Sequence, residues 1–208
     1  MCRSAGPPRA GWGNLTAVMK RIEEFVTGLG EIPAAEFTTQ NVEEYLRRTP
    51  VDPASLAPYL HFTPTHYTRN LIYRCPLFEL MSICWDVGQV SRIHNHAGQQ
   101  CWMAVPIGKL DVQNYEVVEM DRTAGYCRLR EANRFVMDPE RPGHVDAELP
   151  IHAVLNPVEY GHPAASLHVY SRPYDRCLVY SLENDSYMEV PLFFDTEFGK
   201  ACADPGRQ

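Results

Sequence analysis

Leu15, Val18, Met19, Ile22, Phe25, Val26 and Leu29 recur at the three- and four-residue spacing of one helical face. The spacing predicts an amphipathic helix over 15–29, with Asn14 able to cap its start and Gly28 and Gly30 offering its stop. A second helix is expected near 40–48, where Val42, Tyr45 and Leu46 share a face. A third begins at Asp52-Pro53, a cap followed by proline at the first helical position, and runs through Leu56 to about Leu60. From about residue 67 this period gives way to short segments rich in Val, Ile, Tyr and Phe, separated by turn residues. Strands are expected at 66–73, 77–86, 90–96, 100–106, 109–119, 126–130, 133–137, 150–155, 164–171, 176–182 and 187–193. Many short strands with no helix between them point to an antiparallel sandwich or barrel rather than a sheet of parallel strands with crossover helices. The expected fold class is α+β, mainly β: helices packed on an antiparallel double-sheeted β-barrel. One domain is expected over 1–208, with a flexible tail at 1–13, a helical layer at 14–60, the barrel at 61–199 and a tail at 200–208.

Composition narrows the function. Of the 208 residues, 45% are apolar, enough to bury a core, and the net charge of −7 argues against a nucleic-acid surface, which needs clustered Lys and Arg. Seven cysteines without a Cys-x-x-Cys pair suggest reduced thiols in a cytoplasm. The opening MCRSAGPPRAGWG has no apolar stretch behind its arginines and does not read as a signal peptide. No segment has the length of a membrane span. No long exposed apolar stripe demands a partner, so a monomer is expected.

The chemistry gathers at Gly88–Gly108. His94 and His96 stand one residue apart, so in an extended strand both project to the same face. Alone, a His-x-His is more often a solvated strand than a ligand pair. A third candidate is His152, in the predicted strand Pro150–Asn156, because distant strands of a small barrel converge on one interior.

Gly88, five residues, His94-x-His96, four residues, Cys101, six residues and Gly108 resemble the first motif of the cupin superfamily. His152 followed by Asn156 resembles the end of the second, although the Pro-x-Gly expected before that histidine is absent. Cys101 stands where cupins commonly carry a glutamate ligand, a departure that favours a three-histidine site and is similar to the cysteine dioxygenases. That resemblance runs from roughly Tyr59 to Gly199 and includes His66–Leu71, Ile83–Trp85, Ser166–Ser171 and Tyr174–Cys177.

The resemblance implies a jelly-roll fold in which Fe(II), held by His94, His96 and His152, oxidises the thiol of L-cysteine with O2 to cysteine sulfinic acid. Three neutral imidazoles leave positions open for substrate and O2, and the absence of a carboxylate ligand keeps the centre cationic and favourable to a thiolate. Arg69 is then the candidate partner for the substrate carboxylate, with Tyr67 two residues earlier on the same face. Ser166, His168 and Tyr170 share one strand face and suit a proton relay. By resemblance Tyr170 is the active-site tyrosine and can become thioether-linked to Cys101, while Cys177 lies near the pocket mouth. Trp85 is expected as wall or core, and His61, His66, His144 and His162 mostly as solvated loop residues.

Related 3-mercaptopropionate dioxygenases typically have glutamine and glycine where this chain has Arg69 and Cys101, which places it on the cysteine side. The family's animal members read Ser-Pro-Pro after the tyrosine where this chain has Ser171-Arg172-Pro173, so Arg172 is a candidate extra contact. The alternatives are a dioxygenase for another small thiol and a non-catalytic metal-binding cupin.

Overall fold

Ile22, Phe25 and Leu29 line the buried face of helix α1 (Ile22–Gly30). The computed structural model describes residues 19–145 and 149–203, so the predicted cap Asn14, Leu15, Val18 and the tail at 1–13 lie outside the described residues. The helix begins later than the apolar spacing predicts, because Met19 is exposed and Lys20 bridges to Val51 instead. Two side chains close its start: Ile22 N–H donates to Ser55 Oγ at 2.9 Å, and Glu24 accepts from Arg21 N–H at 3.0 Å. Gly28 does not stop it. Tyr45 of helix α2 (Thr39–Arg48) lies across that point, its hydroxyl donating to the Phe25 carbonyl at 2.7 Å, where a Cβ on residue 28 would meet it at 2.5 Å. The third predicted helix is a 3₁₀ segment, Pro53–Tyr59, entered through Asp52 and carrying Pro58, which lacks the N–H that an α-helix would need.

The strands are β1 (Thr68–Arg74), β2 (Glu79–Trp85), β3 (Ile93–His94), β4 (Cys101–Ile107), β5 (Leu110–Asp121), β6 (Tyr126–Met137) and β7 (Gly143–His144). They continue with β8 (Ile151–Leu155), β9 (Ala164–Tyr170), β10 (Arg176–Ser181), β11 (Ser186–Pro191), β12 (Thr196–Glu197) and β13 (Lys200–Ala201). Two sheets result, ordered β13-β12-β1-β2-β9-β4-β7 and β10-β11-β6-β5-β8-β3. β3 pairs with both β8 and β10, so the second sheet returns on itself. This is the expected double-sheeted architecture, antiparallel except where β1 meets β12.

Three departures have physical causes. The strand predicted over 90–96 shrinks to Ile93–His94, since Ala97 and Gly98 turn the chain at positive φ. The segments 126–130 and 133–137 form one strand, which stays paired with β5 through two register shifts. β7, β12 and β13 are two-residue pairings, too short to carry a period, and β13 extends the first sheet past residue 199.

The first sheet is covered on both faces, and β2 and β9 are buried at every position. Leu80, Trp102, Leu167 and Val169 face the helices, packing with Phe25, Leu29 and Leu46. Each such side chain contributes about 1.5–3 kcal/mol by leaving water. The Trp102 indole also donates to the Thr39 carbonyl at 3.1 Å, fastening α2 to β4. The alternate residues Met81, Ile83, Trp85, Cys101, Met103 and Tyr170 face the second sheet and meet Val112 and Val154 there. Gly108 makes the turn from β4 to β5 at φ 76, with no room for a side chain: a Cβ would lie 2.9 Å from the Pro163 carbonyl oxygen. The space between the sheets holds the site.

Candidate active site

His94 and His96 converge without sharing a strand. Asn95 between them is tied to β10, its N–H donating to the Leu178 carbonyl at 3.1 Å and its side-chain oxygen accepting from Leu178 N–H at 3.1 Å. With Asn95 fixed outward, the flanking imidazoles turn in. His152 on β8 lies directly opposite His94. Ser91 secures the approach to β3, since its hydroxyl accepts from Val154 N–H at 2.9 Å. Asn156 secures the end of β8, its side chain donating to the Trp85 carbonyl at 3.2 Å.

The three ring centroids stand 4.7–5.2 Å apart, and one nitrogen from each histidine falls within 4.8 Å of the others. His94 Nδ1 bonds the Arg92 carbonyl at 2.8 Å, which leaves Nε2 for another partner. His96 Nε2 and both nitrogens of His152 are buried with no hydrogen-bond partner. Burial holds all three imidazoles in the neutral form, His94 down to about 4 and the other two well below the ordinary histidine value. Neutral, buried, unpartnered nitrogens aimed at one point suit a divalent metal of borderline softness.

Beside the triad runs a line of hydrogen bonds along β9. Trp85 Nε1–H donates to Ser166 Oγ at 2.9 Å, Ser166 Oγ meets His168 Nε2 at 2.9 Å, and His168 Nδ1 meets the Tyr170 hydroxyl at 3.3 Å. An indole N–H can only donate, so Ser166 accepts from Trp85; Ser166 and His168 Nε2 share one proton, and His168 Nδ1 and Tyr170 share another, with the imidazole tautomer setting the direction. Burial lowers the His168 pKa to about 3 and raises that of Tyr170. The Tyr170 ring crosses that of His96 at 5.2 Å. Cys101 is the cross-strand partner of Tyr170, and its Sγ lies 3.9 Å from His168 Nδ1. Burial also raises its thiol pKa.

On one side the triad meets a cavity of about 470 Å³ whose lining includes Arg69, Tyr67, Trp85, His94, Tyr170 and Tyr174. Arg69 Nε and Nη2 are buried with no partner. Burial disfavours the charge, but Tyr170, Tyr174, Tyr67 and Glu79 around it more than offset that, and the group stays a cation. The guanidinium lies over the ring of Phe194 at 5.6 Å, which helps to orient it. Tyr67 stacks on Trp85 at 4.7 Å.

All nine residues singled out for chemistry thus gather between the sheets. Trp85, expected as wall, orients Ser166. Tyr174 was read only as part of a matching segment, and Glu79 was missed altogether. Glu79 had a legible signal: it opens the run Glu79, Met81, Ile83, Trp85, whose period of two points it inward. Arg172 is exposed and does not line the cavity, whereas Arg92 does. His66 is no solvated loop residue, since its Nε2 meets Asp195 Oδ1 at 3.1 Å at the cavity wall, and His144 pairs with Glu43 at 3.0 Å. Cys177 lines the cavity, as expected of a residue near its mouth.

A double-sheeted β fold with a histidine triad between its sheets, open to a pocket, defines a cupin with a candidate metal centre. The sequence profile of the family Cysteine dioxygenase type I matches residues 16–183, and the chain belongs to that family, which makes it a thiol dioxygenase. It is 28% identical to Cysteine dioxygenase type 1 of Rattus norvegicus over 171 residues, 79% of this chain and 80% of that protein. It is 25% identical to Cysteine dioxygenase type 1 of Danio rerio over 189 residues, 89% of this chain and 92% of that protein. Among solved structures it is similar to a cupin superfamily protein from Desulfitobacterium hafniense, with a TM-score of 0.42 and 12% identity, covering 60% of this chain and 91% of that one. Among the described residues no helix is long and apolar enough to cross a membrane.

Proposed function

We propose that this enzyme oxidises the thiol of L-cysteine with O2 to cysteine sulfinic acid, using Fe(II) held by His94, His96 and His152. Both oxygen atoms enter the product, so no external reductant is needed. The observation that carries the reading is Arg69, a buried guanidinium with two unpartnered nitrogens in the same cavity as His94. A buried cation without an anion is costly, and the substrate carboxylate is the group that would complete it.

Bound iron would supply an open Lewis-acid face for the thiolate and O2. The protein's own part is orientation. Arg69 takes the carboxylate as a two-donor fork, and Tyr67, held flat on Trp85, closes the pocket beside it. Tyr170 presents its hydroxyl next to the triad, and the His168–Ser166 line behind it holds or passes a proton at that oxygen. Cys101 would form a thioether with the Tyr170 ring, the S–H and a ring C–H giving up two hydrogens to O2, which fixes the phenol and removes a competing thiol. The described cysteines are all free thiols, which supports a reducing cytoplasmic setting.

The test is oxygen consumption by the iron-loaded protein with L-cysteine, 3-mercaptopropionate and cysteamine. L-Cysteine is expected to be the fastest; a faster rate with 3-mercaptopropionate would overturn the substrate assignment.

A further inference from the structure

The proposed reaction leaves Tyr174, a polar side chain of the cavity, without a part. Tyr174 follows β9 in the loop 171–175, and that loop is clamped on both sides. Ser171 N–H donates to the Gln100 carbonyl at 3.0 Å, and the Asp175 carbonyl accepts from Leu192 N–H at 2.8 Å. Held there, the Tyr174 ring meets the Tyr170 ring edge-on at 5.1 Å and reaches to 6.4 Å from that of His96. It lines the cavity together with Arg69.

The hydrogen bonds behind Tyr170 give this placement a direction. Trp85 donates to Ser166, Ser166 Oγ bonds His168 Nε2, and His168 Nδ1 bonds the Tyr170 hydroxyl, a line that runs toward the cavity. Tyr174 stands next in that direction, its ring edge against Tyr170 and its side chain in the same cavity as Arg69. The Tyr174 O–H is a donor available at that cavity, beyond Tyr170. A phenol of ordinary pKa about 10 carries that proton at neutral pH without any adjustment.

The anion that this donor would meet is set by Arg69, whose Nε and Nη2 have no partner. The nearby carboxylate of Glu79 is bound by Arg74, with Arg74 Nε donating to Glu79 Oε2 at 2.6 Å, so it does not fill that role. A ligand anion would give Nε and Nη2 their partners, and guanidinium and phenol in one cavity suit a carboxylate.

We propose that Tyr174 is a further substrate-binding residue, whose hydroxyl donates to the carboxylate received by Arg69 and so sets a preference for carboxylate-bearing small thiols over those without one. The inference rests on the substrate reading given above. It differs from a packing role for the ring, which Phe would fill equally well.

Tyr174→Phe removes the donor and keeps the ring against Tyr170. Calorimetric titration of the iron-loaded wild type and variant under argon, with L-cysteine and with cysteamine, reads binding without turnover. L-Cysteine is expected to bind about tenfold more weakly to the variant, the worth of one hydrogen bond to a charged group, with cysteamine unchanged. Equal weakening for both thiols, or no weakening, overturns the proposal. Oxygen uptake by the wild type with L-cysteine decides the reaction separately. Its absence would remove the proposed dioxygenation of L-cysteine, while the two-thiol comparison would still decide the role of Tyr174.

Discussion

Cys101 and Tyr170 are direct cross-strand partners on β4 and β9, both sealed from solvent. Antiparallel partners hold their Cβ atoms about 4.5–5.5 Å apart, within reach of a bond from a short thiol to an aromatic ring. Burial raises the pKa of both groups, so neither ionises readily; joining them replaces an S–H and a ring C–H by a C–S bond, a two-electron oxidation. Protein exposed to Fe(II), L-cysteine and O2 is therefore expected to accumulate a form lighter by the hydrogens lost to O2, with Cys101 and Tyr170 in one linked peptide. Intact mass and peptide mapping check this. Cys101→Ser stays at full mass; a linked species in that variant would exclude Cys101 as the partner.

Among the described residues, Arg69 carries buried guanidinium nitrogens at the cavity with no hydrogen-bond partner. Arg69→Gln keeps a polar side chain but loses the charge and the fork. Hydrogen bonds to charged groups are worth about 1.5–3 kcal/mol, so KM for L-cysteine should rise on the order of ten- to a hundredfold. Cysteamine, which has no carboxylate, should change little. Steady-state oxygen uptake with both thiols checks the split, and unchanged L-cysteine kinetics would remove Arg69 from the carboxylate site.

Much of this site was legible because strand periodicity and chemical type agreed. Ser166, His168 and Tyr170 alternate along β9, and the run that opens at Glu79 does the same on β2. His94 and His96 converge by a route that strand alternation does not give: only His94 lies in a strand, and Asn95 aims the pair by binding β10. No local pattern encodes that contact, since its partner Leu178 is 83 residues away. Tyr174 lies in a loop and has no period to place it. The two-residue strands and the register shifts of β5 and β6 are likewise products of tertiary pairing. The helix boundary at Ile22 depends on Ser55, another distant residue.

The triad should govern both metal content and metal-dependent stability. A ligand that binds only the folded state raises its melting temperature with concentration. Fe(II) added anaerobically is expected to raise the melting temperature of the wild type and to leave His152→Ala unmoved, with oxygen uptake lost in that variant. Chelation should abolish wild-type uptake, and added Fe(II) should restore it. Equal thermal shifts in wild type and variant would remove His152 from the ligand set.

The same buried imidazoles set an acid limit on the metal-free protein. Burial holds His94 at about 4 and His168 at about 3, both down from 6.5. As pH falls through 6.5 the unfolded chain binds protons at these positions while the native state does not, so the unfolded state gains. The stability is whole above 6.5 and declines as pH drops toward about 4. Thermal melts of metal-free protein across that window should show the decline, and a shallower one in His168→Gln. Identical profiles would mean that His168 does not contribute.

Glu79 occupies the row Arg74–Glu79–Tyr170–Cys101, formed by successive cross-strand partners on β1, β2, β9 and β4. Its side chain is fully buried, with Oε1 unpartnered and Oε2 bound by Arg74, whose guanidinium also lies 5.1 Å over Phe194. Burial raises the pKa of Glu79, and Arg74 opposes that shift. Removing Arg74 would strand a carboxylate in the wall behind Tyr170. Stranding one partner of a fully buried pair costs about 3–5 kcal/mol. Arg74 is 39% exposed, and water reaching the site reduces the loss to roughly 2–3 kcal/mol for Arg74→Ala. Glu79→Gln in the Arg74→Ala background should recover part of it, because no charge is then left buried. Denaturant unfolding of the three proteins gives the comparison; a double variant no more stable than Arg74→Ala would show that packing of Arg74 on Phe194, and not its charge, holds this wall.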